Sequence, residues 1–349
     1  MSPKVVWYEP SGERDLELLG KIVACKMPVD RTGTLNKFNW KYDPIPQYFD
    51  DAKSWSECCF SRSEELWGIG KPIIVFWSGG IDSSVALLSL LETMPSSGEM
   101  YVRYTQHSID EFPSLYETVK KISKPFLSST IEYFDPDFLK QDHIFVSGEC
   151  ADPIFGTDSV KKYEDLMNDP WESILYFEEL WPVPLEISDR YRISNILEEH
   201  VEKCPIEIKT VFDIYWWISF CFKWTFLDRV IPISYFLNDG TAVHKNYSFF
   251  NTQDFQKWSL CNHDIKHQNS WLTYKQPAKD FIYKFTGDKE YQINKTKEPS
   301  ILKLFTPEFK LTRFDNNDRP KLLLEGGRMW RHRDTIPKDV LSNIRILDQ

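Results

Sequence analysis

The sequence predicts an α/β protein: a doubly wound parallel sheet followed by a mostly helical C-terminal region. Three observations lead there. Residues 72–77, "PIIVFW", are a continuous apolar run of the kind needed by a parallel strand covered on both faces. Further strand-like runs alternate with helically spaced ones as far as Val160, the pattern of a parallel sheet wound with helices. Beyond Val160 strand signals fade and amphipathic stretches take over.

Taken in order, residues 1–68 mix aromatics, prolines and charges, as in "YDPIPQYFDDAKSW", without sustained periodicity. They read as an irregular extension or small lobe of undefined role. After the first strand, "SSVALLSLLE" sets Val85, Leu88 and Leu91 at helical spacing, which completes a β-turn-α unit. "MYVRYTQ" reads as a second strand, "PSLYETVKKIS" as a helix and "STIEYF" as a third strand. "DHIFVSGE" reads as a fourth strand ending in another glycine turn. Residues 69–160 therefore form the expected α/β core, and residues 161–349 the helical region. Within that region the helical stretches are "RISNILEEHVEKC", "IKTVFDIYWWISFCFKWTFLDRV" and "QPAKDFIYKFTG".

Bulk properties exclude several classes. A net charge of -10 over 349 residues offers no general attraction for a polyanion, so nucleic acid is not the expected partner. The longest uncharged apolar run, Ile214 to Phe222, falls far short of the roughly 20 residues that span a bilayer. The opening "MSPKVVWYEP" lacks a basic segment followed by an apolar core, so a cytoplasmic location is expected. Seven cysteines, odd in number and never spaced Cys-x-x-Cys, read as buried free thiols.

Chemistry concentrates at the two glycine turns, since ligands of open parallel sheets sit beyond the carboxyl ends of the strands. In "SGGIDSS", Gly79 and Gly80 let the backbone approach an anion. Ser78, Ser83 and Ser84 offer hydroxyls, and the following helix offers free N–H groups. The stretch lacks the lysine of a Walker loop and the third glycine of a dinucleotide fingerprint. Asp82 would repel a phosphate unless a divalent cation lay between them, which implies Mg²⁺.

These residues resemble the SGG-x-DS pyrophosphate loop of the PP-loop ATP pyrophosphatases, whose sheet is the adenine nucleotide α-hydrolase-like one. "VSGECADPIFG", residues 146–156, resembles the second signature of the asparagine synthetase synthase domain, shared with β-lactam synthetases and lasso-peptide cyclases. The resemblance implies ATP held at Ser78, Gly79, Gly80, Ser83 and Ser84, with Ser147 and Gly148 against the nucleotide. It implies Mg²⁺ shared by Asp82 and Asp152, and Glu149 as the general base for an attacking amine. Position alone allows the same assignment, with two carboxylates at two strand ends and a third acid nearby. "FFNTQDFQKWSL" is loosely similar to the family's PFLD segment, and "QPAKDFIYKFTGDKEYQINKTKEPS" to its closing stretch. The latter's register makes Lys297 the catalytic cation, with Lys295 as the alternative.

Departures from the pattern put the substrate in doubt. Pro153 and Thr157 stand where the family has a second Glu and a second Gly, and Cys150 replaces a glycine. No counterpart of the aspartate-contacting segment is evident, so aspartate is not assumed as substrate. Residue 2 is Ser2 rather than the nucleophilic Cys of glutaminase domains, and only about 70 residues precede the loop. The expectation is a chain without that domain, supplied with free ammonia, with ammonia from a partner, or with the amine of a small molecule, peptide or carrier.

The leading expectation is an AMP-forming amide ligase that adenylates a carboxylate and transfers it to an amine. A nucleobase- or tRNA-modifying relative would show paired cysteines and a basic surface, and neither is present. A non-catalytic nucleotide-binding protein is the third reading, raised by Pro153. The basic cluster "RMWRHRD", residues 328–334, reads as solvated surface or as a contact for an acidic partner.

Overall fold

The structure is a computed structural model. It describes residues 44–47, 49–50, 52–104, 106–122, 124–127, 142–175, 187–230, 246–267 and 270–296. Before residue 44 it describes 5–6, 16, 19–20, 22–23, 25, 28–33 and 35, and near the end only 344–345.

Five strands form one all-parallel sheet: β1 (Ile73–Phe76), β2 (Met100–Tyr104), β3 (Lys124–Leu127), β4 (Ile144–Ser147) and β5 (Asn246–Ser248). Their spatial order is β3-β2-β1-β4-β5. The chain thus steps outward from β1 to β3, then returns to the other side of β1 for β4 and β5. The order reverses between β1 and β4, where Val75 pairs with Val146, and such a reversal opens a crevice at the carboxyl ends of the two strands. Ile73, Ile74 and Val75 of β1 and all four residues of β4 are buried, as central strands covered on both faces require.

Ten helices are used below. Helix α1 (Trp55–Gly68) opens with a reciprocal cap in which Ser54 Oγ accepts the Glu57 N–H and the Glu57 carboxylate accepts the Ser54 N–H. Helix α2 (Ile81–Glu92) leaves the first glycine turn and is buried from Ser83 to Leu90, because α1 and a later helix cover it. Trp67 Nε1 of α1 donates to Leu90 O of α2 at 3.1 Å. Next come α3 (Gln106–Glu111), α4 (Pro113–Ile122), α5 (Ala151–Phe155), α6 (Ile187–Glu202) and α7 (Val211–Ile218). Two π-helical turns, Ser219–Lys223 and Phe226–Val230, continue α7. The series ends with α8 (Gln253–Cys261), α9 (Gln276–Thr286) and α10 (Lys289–Asn294). A separate two-residue parallel pairing joins Val5–Val6 to Ile344–Arg345.

One hydrophobic core runs from Leu16 to Tyr291 among the described residues. The early segment is tied into it by hydrogen bonds: Val29 N donates to Phe222 O, Arg31 N to Cys221 O and the Arg31 guanidinium to Phe220 O. These carbonyls belong to the first π-helical turn, which the segment therefore braces. Arg62 of α1 donates to Ser248 O and Phe249 O at the end of β5, each at 3.2 Å.

Two strand expectations need correction. "STIEYF", residues 129–134, lies outside the described residues, and the third strand is formed earlier by "KPFL". β5 was not expected, since "NYS" has three residues and no apolar run; it is an edge strand set by pairing with β4. Among the described residues no helix is long and apolar enough to cross a membrane.

Candidate functional site

The first turn is built around its own serines. Ser78 Oγ lies 2.9 Å from Ser83 Oγ, which accepts the Ser78 N–H at 3.1 Å. The Ser84 hydroxyl accepts the Trp77 indole N–H at 3.0 Å and is fully buried, so it holds the strand to the helix. Gly79 has φ +85, and a Cβ there would lie 2.6 Å from Ser108 O, so only glycine serves. Gly80 is the N-cap of α2 and provides no side-chain cap, so the first helical turn keeps N–H groups for a ligand.

The second turn lies directly against the first. A Cβ at Gly148 would fall 2.7 Å from Ser83 N and 3.0 Å from Asp82 C, so the end of β4 touches the start of α2 backbone to backbone. Ser147, 4% exposed, has an Oγ without a hydrogen-bond partner. A buried hydroxyl left so is costly unless a ligand completes it. Cys150, where the sequence pattern called for glycine, sits at φ +69 and caps α5. The glycine preference is therefore conformational, and Cys150 bears the strain. Glu149 is half-buried beside it.

Asp82 and Asp152 converge as expected, on a cation the sequence had not singled out. Lys275 Nζ donates to both Asp82 carboxylate oxygens at 2.8 and 2.7 Å and to Asp152 Oδ1 at 2.9 Å. Its side chain is 0% exposed, against 14% and 17% for the two aspartates. Lys223, from the first π-helical turn, stands 3.7 Å from Asp152 Oδ2. Two carboxylates meeting at one point fit a shared cation, and here the chain's own ammonium supplies it. A divalent ion at that point requires Lys275 to leave it. Among the described residues no group of three or more His, Cys, Asp or Glu side chains could hold a metal. Lys275 escaped the sequence reading because one lysine in a lysine-rich stretch looks solvated; its φ of +62 is visible only in the fold.

Helices α9 and α10 close over the first turn from the other side. Tyr291 stacks on Phe112 with ring centroids 3.8 Å apart and donates its hydroxyl to Gly79 O at 3.3 Å. Burial pushes the Tyr291 phenol well above its usual range, with the nearby Glu111 charge adding to it. Lys295, at the end of α10, pairs with Glu111 at 2.8 Å. Lys297 lies outside the described residues, as does the cluster 328–334.

Behind Lys275 is a buried relay. His263 Nε2 lies 2.8 Å from Asp213 Oδ1, and Lys266 Nζ lies 2.9 Å from His263 Nδ1. A carboxylate only accepts, so Nε2 carries the proton and Nδ1 accepts from the lysine. Burial, reinforced by Lys266, pushes His263 down to about 4. Burial, then His263, likewise pushes His267 down to about 4. Burial pushes Lys266 well below its ordinary value. Burial alone would raise Asp213, but hydrogen bonds from His263 and from the Lys209 and Thr210 N–H groups hold it low. The Lys275 N–H donates to Lys266 O at 2.9 Å, so this cluster anchors the turn that presents Lys275.

The site thus combines an uncapped helix N-terminus, two glycine turns in backbone contact, one orphan hydroxyl and a buried charge cluster. Such a set suits a phosphate-bearing ligand. No family model matches the chain, and no curated protein matches it.

Proposed function

We propose that the chain is an AMP-forming carbon–nitrogen ligase resembling the asparagine synthetase synthase domain, on a doubly wound sheet with a mostly helical C-terminal region. The observation that carries the reading is the backbone contact between Gly148 and Ser83, which brings both signature turns to one crevice at the β1–β4 reversal. The two turns end neighbouring parallel strands, so both line the crevice in which sheets of this kind bind ligands.

On this reading the glycine turn and the α2 N-terminus receive the β- and γ-phosphates of ATP, and Ser147 Oγ gains its missing partner from the nucleotide. Asp82 and Asp152 would hold Mg²⁺ in place of the Lys275 ammonium that now joins them, and the ion would supply positive charge to neutralise the phosphates. A substrate carboxylate oxygen attacks the α-phosphorus and pyrophosphate leaves. An amine attacks the acyl carbon, gives its proton to Glu149 and expels AMP. Lys297 is the proposed cation for charge developing at the α-phosphate. The substrates are a small-molecule or peptide carboxylate and an amine or ammonia.

The test is ATP–pyrophosphate exchange by the purified chain across a panel of carboxylates, followed by addition of amines. Exchange with one carboxylate class, and AMP release on adding an amine, is the expected result. ATP binding without exchange for any carboxylate would favour the non-catalytic nucleotide binder instead.

A further inference from the structure

We propose that Glu111 is an internal anion that competes with bound phosphate for Lys295 and so sets how tightly the first glycine turn holds pyrophosphate. This rests on the nucleotide reading of that turn and extends it to a residue which that reading leaves without a role.

Glu111 lies tight against the turn, its helix held there by the backbone of Ser108. Its Cβ lies 2.8 Å, and Ser108 O 2.6 Å, from where a Cβ of Gly79 would stand. Its carboxylate borders the space above the turn, with Oε1 3.5 Å from the Cβ position of Gly80. A carboxylate facing an anion cradle is repulsive to the ligand unless it is neutralised. Lys295 neutralises it at 2.8 Å, and with side chains only 13% and 11% exposed the pair is poorly screened.

Lys295 reaches this point because α10 is docked on the first turn and the junction of α3 with α4: Tyr291 is stacked on Phe112 and bonded to Gly79 O, and Asp288, the cap of α10, accepts from Ser114 Oγ of α4 at 2.7 Å. The ammonium therefore has two available anions, the Glu111 carboxylate and any phosphate on the turn. When Lys295 turns to phosphate, His107 Nδ1 remains 3.7 Å from Glu111 Oε2, so the carboxylate keeps a polar neighbour. When pyrophosphate must leave, Glu111 reclaims the lysine. The exchange forms and breaks ion pairs only and needs no covalent step.

Calorimetry on the full chain, with inorganic pyrophosphate and ATP as probes, tests this with Glu111→Gln, Lys295→Met and the double variant. Glu111→Gln should tighten pyrophosphate by about tenfold, and Lys295→Met should weaken it by a similar factor. In the Lys295→Met background the gain from Glu111→Gln should shrink to about twofold or less, because the competition it relieves is gone. Lys295→Arg, which keeps the charge, should restore that gain. Equal gains in both backgrounds would mean a through-space charge effect and overturn the proposal, as would no gain at all. If the unaltered chain binds neither probe, the nucleotide reading falls and this proposal with it; binding without the Glu111→Gln gain overturns this proposal alone.

Discussion

Replacing Lys275 with Met tests the charge cluster most directly, because Met keeps the length and apolar stem of lysine and removes only the ammonium. The change leaves Asp82 and Asp152, whose oxygens lie 2.7 to 2.9 Å from that one nitrogen, facing each other in a site where they are 14% and 17% exposed. Removing one partner of a buried ion pair costs about 3–5 kcal/mol. Residual solvent contact and Lys223, 3.7 Å from Asp152, place the expected loss at about 3 kcal/mol. At about 2.1 cal/mol/K of unfolding entropy per residue, a chain of 349 residues loses roughly 1.4 °C per kcal/mol, so Tm should fall by roughly 4 °C in EDTA. Thermal unfolding with about 10 mM MgCl₂ should recover part of that in the variant and more than it adds to the parent, since a cation at a Kd of about 1 mM contributes about 1.4 kcal/mol. An ionic-strength control with choline chloride separates binding from screening. A Tm loss under about 2 °C, or a Lys275→Met/Asp152→Asn double variant no more stable than Lys275→Met, would refute the idea that the lysine neutralises both carboxylates.

Gly148→Ala should destabilise the fold by about 2 kcal/mol or more and abolish ATP binding, because its Cβ would meet Ser83 N at 2.7 Å and backbone cannot step aside; urea unfolding and calorimetry read the two effects. Cys150→Gly should change stability by less than about 1 kcal/mol, relief at φ +69 offsetting the lost thiol, whereas Cys150→Val should cost about 2 kcal/mol or more. For the relay, the unfolded chain protonates its histidines near 6.5 while folded His263 and His267 resist to about 4, so their contribution is complete above pH 6.5 and is lost as pH falls towards 4. Each histidine accounts for at most about 3 kcal/mol of that loss, and His263→Gln should flatten the slope of stability between pH 6.5 and 4. Glu149→Gln should leave ATP–pyrophosphate exchange largely intact while slowing amide formation by about 10²- to 10⁴-fold; equal slowing of both steps would remove its role as base.

Periodicity and turn chemistry carried the first half of the fold, because β1, α2, β2, α4 and β4 each declare themselves locally by an apolar run, a helical spacing or a glycine. The strand "NYS" could not be read that way: its three residues are extended because β4 offers an open edge, and that edge exists only once the chain has folded. The two turns were legible because their glycines answer backbone demands, close approach at Gly148 and positive φ at Gly79. The cations were not. Lys275 and Lys223 come from segments far along the chain, and nothing in their neighbours' residue types marks them as the lysines that end up buried. The same holds for Glu111, one acidic residue at the end of α3 until Lys295 reaches it from the end of α10.

The separation of 193 positions between Asp82 and Lys275 also bears on how the molecule is made. During synthesis the β1-turn-α2 unit can leave the ribosome and collapse long before its counter-charge exists, at about 5–20 residues per second. Once Asp152 has followed, the nascent core would hold two adjacent carboxylates without Lys275 for about 6–25 s, while the 123 residues up to that lysine are added. The intermediate therefore lacks its counter-charge where the finished protein is tightest, until Lys275 and then α9 and α10 arrive. Pulse-labelling of nascent chains stalled before and after residue 275 would see the crevice change from open to protected only in the longer chains.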